Sequence, residues 1–98
     1  MIEYIELAGI DEVLKNKMIE CLGYDTVLNM ACNYKVVKNN IEILKSFGIT
    51  NIEDLLLNKD YIFTLDNNKL INYFKKFNIP NFVNLINNDY NVIDEIFT

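Results

Sequence analysis

The chain has no arginine, histidine, tryptophan or glutamine, one proline, three glycines and two cysteines. Ser46 is its only serine. Each shortage removes a class of chemistry. Without histidine, and with one serine, neither a Ser-His nor a Cys-His nucleophile can be assembled. Zinc would have to take Cys21, Cys32 and carboxylates, a poor set at the wrong spacing, so no metal and no cofactor are expected. Asp89-Tyr90-Asn91 lacks the turn glycine and terminal glutamate of a calcium loop. Three scattered glycines make no phosphate-cradling loop. Losing arginine removes the planar fork that reads phosphate and guanine. The chain is therefore expected not to be an enzyme.

Two cysteines are too few for a disulfide scaffold. Cys21 and Cys32 both fall on apolar helical positions, which predicts reduced core residues. No apolar run approaches the ~20 residues of a membrane span. The N-terminus carries Glu3 and Glu6 and no basic signal region. A soluble cytoplasmic protein is expected, with no membrane partner.

What the chain does have is apolar mass. Hydrophobic residues make up 51% and charged residues 23% of its 98 positions, a globular balance. One domain spanning 1–98 is expected, burying roughly two-thirds of the surface its unfolded chain exposes. Sixteen Asn, 14 Ile and 9 Lys are the residues of A/T-rich codons, which points to a low-GC bacterium or its phage. The same skew accounts for the Asn abundance without a prion-like role.

Charge is placed unevenly within the net −5. Residues 1–25 hold Glu3, Glu6, Asp11, Glu12, Glu20 and Asp25 against Lys15 and Lys17, a net −4. Residues 26–65 balance, and 66–98 carry net −1. An acidic N-terminal third is the wrong field for a general nucleic-acid surface. It suits a basic protein partner, and the six acids are the candidate partner-binding residues. The only local basic concentration is Lys69, Lys75 and Lys76, with Tyr73 beside it as an aromatic that can stack a base.

Helix stops and starts recur along the chain. At Phe47-Gly48-Ile49-Thr50-Asn51-Ile52, Gly48 closes one helix in the left-handed region, and Thr50 with Glu53 reads as a capping box for the next. Gly9-Ile10-Asp11, Gly23-Tyr24-Asp25 and Asn78-Ile79-Pro80 repeat the phrase, each headed by a residue that tolerates the left-handed region. Asp11 starts a helix with Val13, Leu14, Met18, Cys21 and Leu22 as its apolar stripe. Asp25 and Thr26 are expected to cap another, breaking near Asn33 to Lys35. Tyr61-Ile62-Phe63 is too short for a sheet and reads as a packed connector or short helix. Asp66 and Pro80 open two further helices. The fold class is all-α, about six to eight short helices packed as helix-turn-helix repeats.

An internal repeat covers about 41–66 and 71–97. Ile41 aligns with Ile71, Leu44 with Phe74, Phe47 with Phe77, Ile49 with Ile79 and Leu55 with Leu85. Units of this kind stack to bury a face that one cannot bury alone. With Gly48, Leu55-Leu56 and Ile62-Phe63, the stretch from Leu44 to Phe63 resembles the helical repeat of mitochondrial transcription termination factor (mTERF) proteins. Leu44 to Leu56 is also similar to a helix-hairpin-helix module, whose amides grip a DNA backbone. Where that module has its second glycine, this chain has Thr50, Asp11, Asp25 and Pro80. Both resemblances imply a helical fold and nucleic-acid binding, for which the basic concentration at Lys69, Lys75 and Lys76 with Tyr73 supplies the candidate residues.

The leading expectation is a small acidic interaction module, an inhibitor or regulator of anti-CRISPR or other anti-defence type, bound to a basic nucleic-acid-handling protein. The alternative is a nucleic-acid-binding helical repeat. A third is a chain whose partner is its own copy.

Overall fold

The first eight residues sort by threes. Ile2, Ile5 and Ala8 turn inward, Glu3 and Glu6 form a second row, and Met1, Tyr4 and Leu7 stand exposed. Three residues per turn is the 3₁₀ period, in which positions i and i+3 eclipse. The computed structural model, which describes all of residues 1–98, accordingly begins with a 3₁₀-helix, η1 (Ile2–Ala8), closed by Gly9 at φ 88°.

Six α-helices and two more 3₁₀ segments follow: α1 (Glu12–Leu22), α2 (Tyr24–Cys32), α3 (Tyr34–Phe47), α4 (Ile52–Asn58), η2 (Asp60–Thr64), α5 (Asn67–Phe74), α6 (Ile79–Asn88) and η3 (Tyr90–Phe97). There is no strand. The class is all-α as expected; counting the 3₁₀ pieces brings the segments to nine. Tyr61-Ile62-Phe63 lies in η2, with Ile62 and Phe63 fully buried.

Helix α3 is the spine. It packs against η1, α2, α4, η2, α5 and α6, while α1 lies on η1, α2 and α4, and η3 lies on α5 and α6. Twenty-two buried apolar residues form one continuous core within extents of 38 × 24 × 22 Å. Phe74 anchors its C-terminal part, stacked on Phe47 at 5.1 Å and edge-on to Phe82 at 5.4 Å. Asn40 is the one buried polar residue. Its Nδ2 donates to the carbonyls of Phe63 (2.9 Å) and Leu65 (2.8 Å), and its Oδ1 accepts from Asn67 at 2.7 Å. That satisfies the amide and pins η2 and the start of α5 to the spine.

Several local expectations are corrected. Cys21 and Cys32 are exposed free thiols, not core residues. Helix α1 buries only the side that meets its neighbours, along Leu14, Met18 and Leu22. Val13 and Cys21 each stand one residue off that line and turn outward, Val13 with 67% of its surface exposed. Cys32 is likewise rotated away from the buried line Val27, Met30 and Ala31.

No capping box forms at Thr50. Its amide donates to Asn87 Oδ1 from α6 (2.9 Å), and Asn51 becomes the cap position with its side chain donating instead to the Ile86 carbonyl (2.9 Å). Asp25 and Thr26 do not cap α2. Gly23 closes α1 and opens α2 at once, at φ 88°, ψ 155°, so the second helix starts without a side-chain cap. Asn78 is extended (φ −71°), because α5 ends in tight turns through Phe77 and Asn78 is free to cap α6 by accepting from the Asn81 amide. The aligned units also diverge at their second helices, with Leu55 fully buried and Leu85 55% exposed.

Candidate functional site

The six acids of the N-terminal third separate into two groups. Glu3 and Glu6 sit on η1 and are compensated. Glu3 meets the Met1 amine at 2.9 Å, and its own backbone amide, then that amine, hold its carboxyl below the ordinary value. Glu6 accepts from Lys15 Nζ at 2.9 Å, a hydrogen bond that raises the Lys15 pKa. Lys17 reaches the other way, to Glu53 on α4 at 3.2 Å. Both lysines of residues 1–25 are thereby engaged.

Asp11, Glu12, Glu20 and Asp25 have no cation within ion-pair distance. All four are exposed. Asp11 caps α1 by accepting from the Leu14 amide at 2.8 Å, and Glu12 occupies the first turn, where the helix dipole favours an anion. Glu20 follows two turns later, about 12 Å along the helix. Asp25 lies in the first turn of α2. Among these acids stand two exposed apolar residues, Val13, which the sequence placed in the buried stripe, and Tyr24 (53% exposed). The outer face of α1 and the start of α2 thus combine uncompensated negative charge with apolar anchors. The acids do not converge: no three potential ligands are placed to hold a metal ion.

The basic set on α5 is arranged differently. Lys69, Lys75 and Lys76 span the outer half of the helix and its C-terminal turn, opposite buried Leu70 and Phe74. Lys76 is occupied within the fold. Its Nζ donates to the carbonyls of Ile96 (2.6 Å) and Thr98 (3.2 Å) and lies over the rings of Tyr73 and Phe77. It stabilises the carbonyl end of η3, as a cation does at a helix C-terminus. Tyr73 is half-buried and edge-on to Phe97 at 5.6 Å.

A third cluster joins η2 to η3. Lys59 Nζ donates to Asp94 Oδ2 at 2.7 Å, and the Tyr61 hydroxyl donates to Asp94 Oδ1. The bond to Asp94 raises the Lys59 pKa, and burial first, then Asp94, raises that of Tyr61. Burial works against the Asp94 anion, but the bonds from Lys59 and Tyr61 outweigh it and hold its carboxyl below the ordinary value. The separations of 35 and 33 residues put this trio beyond any local motif.

One open concavity of about 380 Å³ lies at the α2–α3 joint, lined by Cys32, Asn33, Tyr34, Lys35 and Val36. No helix is long and apolar enough to cross a membrane. Comparison with protein-family models, with curated proteins and with solved structures finds no match to this chain.

Proposed function

We propose that this chain is a small non-enzymatic protein-interaction module, an inhibitor or regulator that docks the outer face of α1 and the start of α2 onto a basic protein. One observation carries the reading. Lys15 and Lys17 are drawn off to Glu6 and Glu53, which leaves Asp11, Glu12, Glu20 and Asp25 uncompensated around exposed Val13 and Tyr24. Apolar anchors within a charged rim are the ordinary anatomy of a specific interface. A field of one sign steers a partner of the other and competes with that partner's nucleic acid. The A/T-rich coding style favours the anti-defence version of such an inhibitor, with a nucleic-acid-handling protein as the target.

The nucleic-acid alternative draws on Lys69, Tyr73, Lys75 and Lys76, but Lys76 and Tyr73 are engaged with η3. It predicts a low-salt gel shift at micromolar protein that Lys69→Gln with Lys75→Gln abolishes.

The partner reading is tested by charge-matched variants. One changes Asp11→Asn, Glu12→Gln, Glu20→Gln and Asp25→Asn, the first retaining the helix cap. Its control changes Glu42→Gln, Asp60→Asn, Asp89→Asn and Glu95→Gln. Partner retention at constant salt is expected to fall at least tenfold in the first and to stay within twofold in the second. Equal losses in both would reduce the effect to net charge alone.

A further inference from the structure

Segment η3 is eight residues of 3₁₀-helix. Such runs seldom exceed about three or four residues, because their hydrogen bonds are poorly aligned and positions i and i+3 eclipse. A segment of that kind is held more from outside than from within. Its inner row is Tyr90, Ile93 and Ile96, with both isoleucines fully buried. A second row is Asn91, Asp94 and Phe97, in which Asp94 meets Lys59 and Tyr61 and the Phe97 ring lies against Tyr61 and Tyr73. Beyond its joint with α6, side chains alone supply the hydrogen bonds that tie η3 down. Lys59 and Tyr61 donate to Asp94, and Lys76 donates to the carbonyls of Ile96 and Thr98. No backbone hydrogen bond runs from η3 to another element.

The joint is a single residue. Asp89 stands extended at φ −151° between the end of α6 and the start of η3, and its side chain accepts from the Asn91 amide. A residue at the end of an element is where a hinge absorbs its change of backbone dihedrals. Packing draws the same division. The spine α3 meets η1, α2, α4, η2, α5 and α6, whereas η3 lies on α5 and α6. Lifting η3 therefore leaves the packing of η1, α1, α2, α3 and α4 on one another intact.

We infer that η3 is a strap, which opens from α5 and α6 as one unit about Asp89 while the rest of the chain stays folded. Proteins open in such units, with free energies that run from near zero up to that of global unfolding. A segment with few packed neighbours and no backbone ties lies at the low end of that range. Opening exposes Ile93 and Ile96 with the surface of α5 and α6 beneath them, and it releases Lys59 and Lys76 from their bonds. In the closed state η3 is itself the occupant of that surface. The strap is a device that keeps an apolar surface covered, and it is independent of the acidic face on α1.

The test is hydrogen exchange on the full chain, residue by residue, across a series of low urea concentrations. The amides from Val92 to Phe97 are expected to exchange as a group, with one urea slope smaller than that of the spine amides of Ile41 and Leu44. Their protection is expected to be lower by roughly tenfold or more. Two variants separate the strap from the whole. Lys76→Met keeps an unbranched stem but removes the donor to two carbonyls, and is expected to lower protection in η3 roughly fivefold or more. Ile5→Val thins the core under η1, which does not pack on η3. It is expected to lower protection in the spine roughly two- to tenfold and to leave η3 unchanged, since the closed and strap-open states share that contact. Exchange of η3 at the slope and protection of the spine overturns the inference. So does an Ile5→Val effect equal in both sets, because η3 then opens only with the whole fold. Exchange along η3 at separate rates without a urea slope overturns it too, since that is fraying residue by residue. An η3 indifferent to Lys76→Met contradicts the ties that define the strap.

Discussion

Asn40 is where a single side chain carries the most structure. It is fully buried, and its amide serves Phe63, Leu65 and Asn67. Removing a partner from a buried polar group costs about 1–3 kcal/mol, more than the net gain from making the bond. Asn40→Leu fills the space but leaves the two carbonyls without their donor, and is expected to cost about 2–4 kcal/mol in urea unfolding. Asn40→Asp is expected to be worse, because a carboxylate there would face carbonyl oxygens with no proton to offer. Asp94 makes a pH-dependent contribution. Its depressed carboxyl stabilises the fold above the ordinary carboxylate value, and that contribution is lost as pH falls through the folded value. Lys59 and Tyr61 are raised, so their share persists below their ordinary values and is lost as pH rises through the folded ones. Asp94 is 42% exposed, which limits the pair to about 1 kcal/mol or less. Asp94→Asn is expected to lower stability by that amount between about pH 6 and pH 9, with the gap to wild type closing towards both extremes of a pH–denaturation series. Two of the caps were legible in the sequence. Asp11 and Asp66 cap as their spacing implies, because a cap is settled within four residues. Asn40 and Lys59–Asp94 were not, since their partners lie 22 to 35 residues away.

At the scale of elements, the junctions set the architecture, though not all by the same device. Gly9 and Gly48 are left-handed as their position after an apolar stripe predicts. Gly48 is also gripped from outside. Asn87 of α6 donates to its carbonyl at 3.1 Å and accepts from the Thr50 amide at 2.9 Å. This clamp replaced the capping box because α6 packs over the turn, a tertiary contact that overrides a local preference. Asn87→Ala removes two exposed hydrogen bonds that water can partly replace, so a loss of about 1–2 kcal/mol is expected. The same variant should speed amide exchange at Thr50 far more than at Leu44, within the spine. Helix order and most boundaries were readable from apolar periodicity. The misplaced residues, Val13 and Cys21, sit one step from the buried line, where a stripe written with both neighbours is wider than a one-sided helix can bury.

Over the whole molecule, the sequence made the charge asymmetry plain but not its compensation. Which acids are neutralised depends on where Lys15 and Lys17 point, and the fold sends one to η1 and the other to α4. The residual four acids are exposed and make no contact within the core. Asp11→Asn retains the cap, and loss of charge from the first turns of α1 and α2 is expected to cost about 0.3–1 kcal/mol per acid, so the variant is expected to remain folded. Any loss of binding in that variant then reports on the face and not on the fold. The most direct measurement places a photo-crosslinking side chain at Val13 or, in a second protein, at Leu85, two exposed apolar positions on different helices. A covalent partner adduct is predicted from position 13 and not from 85, and it should fade as salt rises from about 0.1 M to about 1 M. Adducts from position 85 alone, or an adduct at 13 indifferent to salt, would contradict an acidic α1 face as the docking surface.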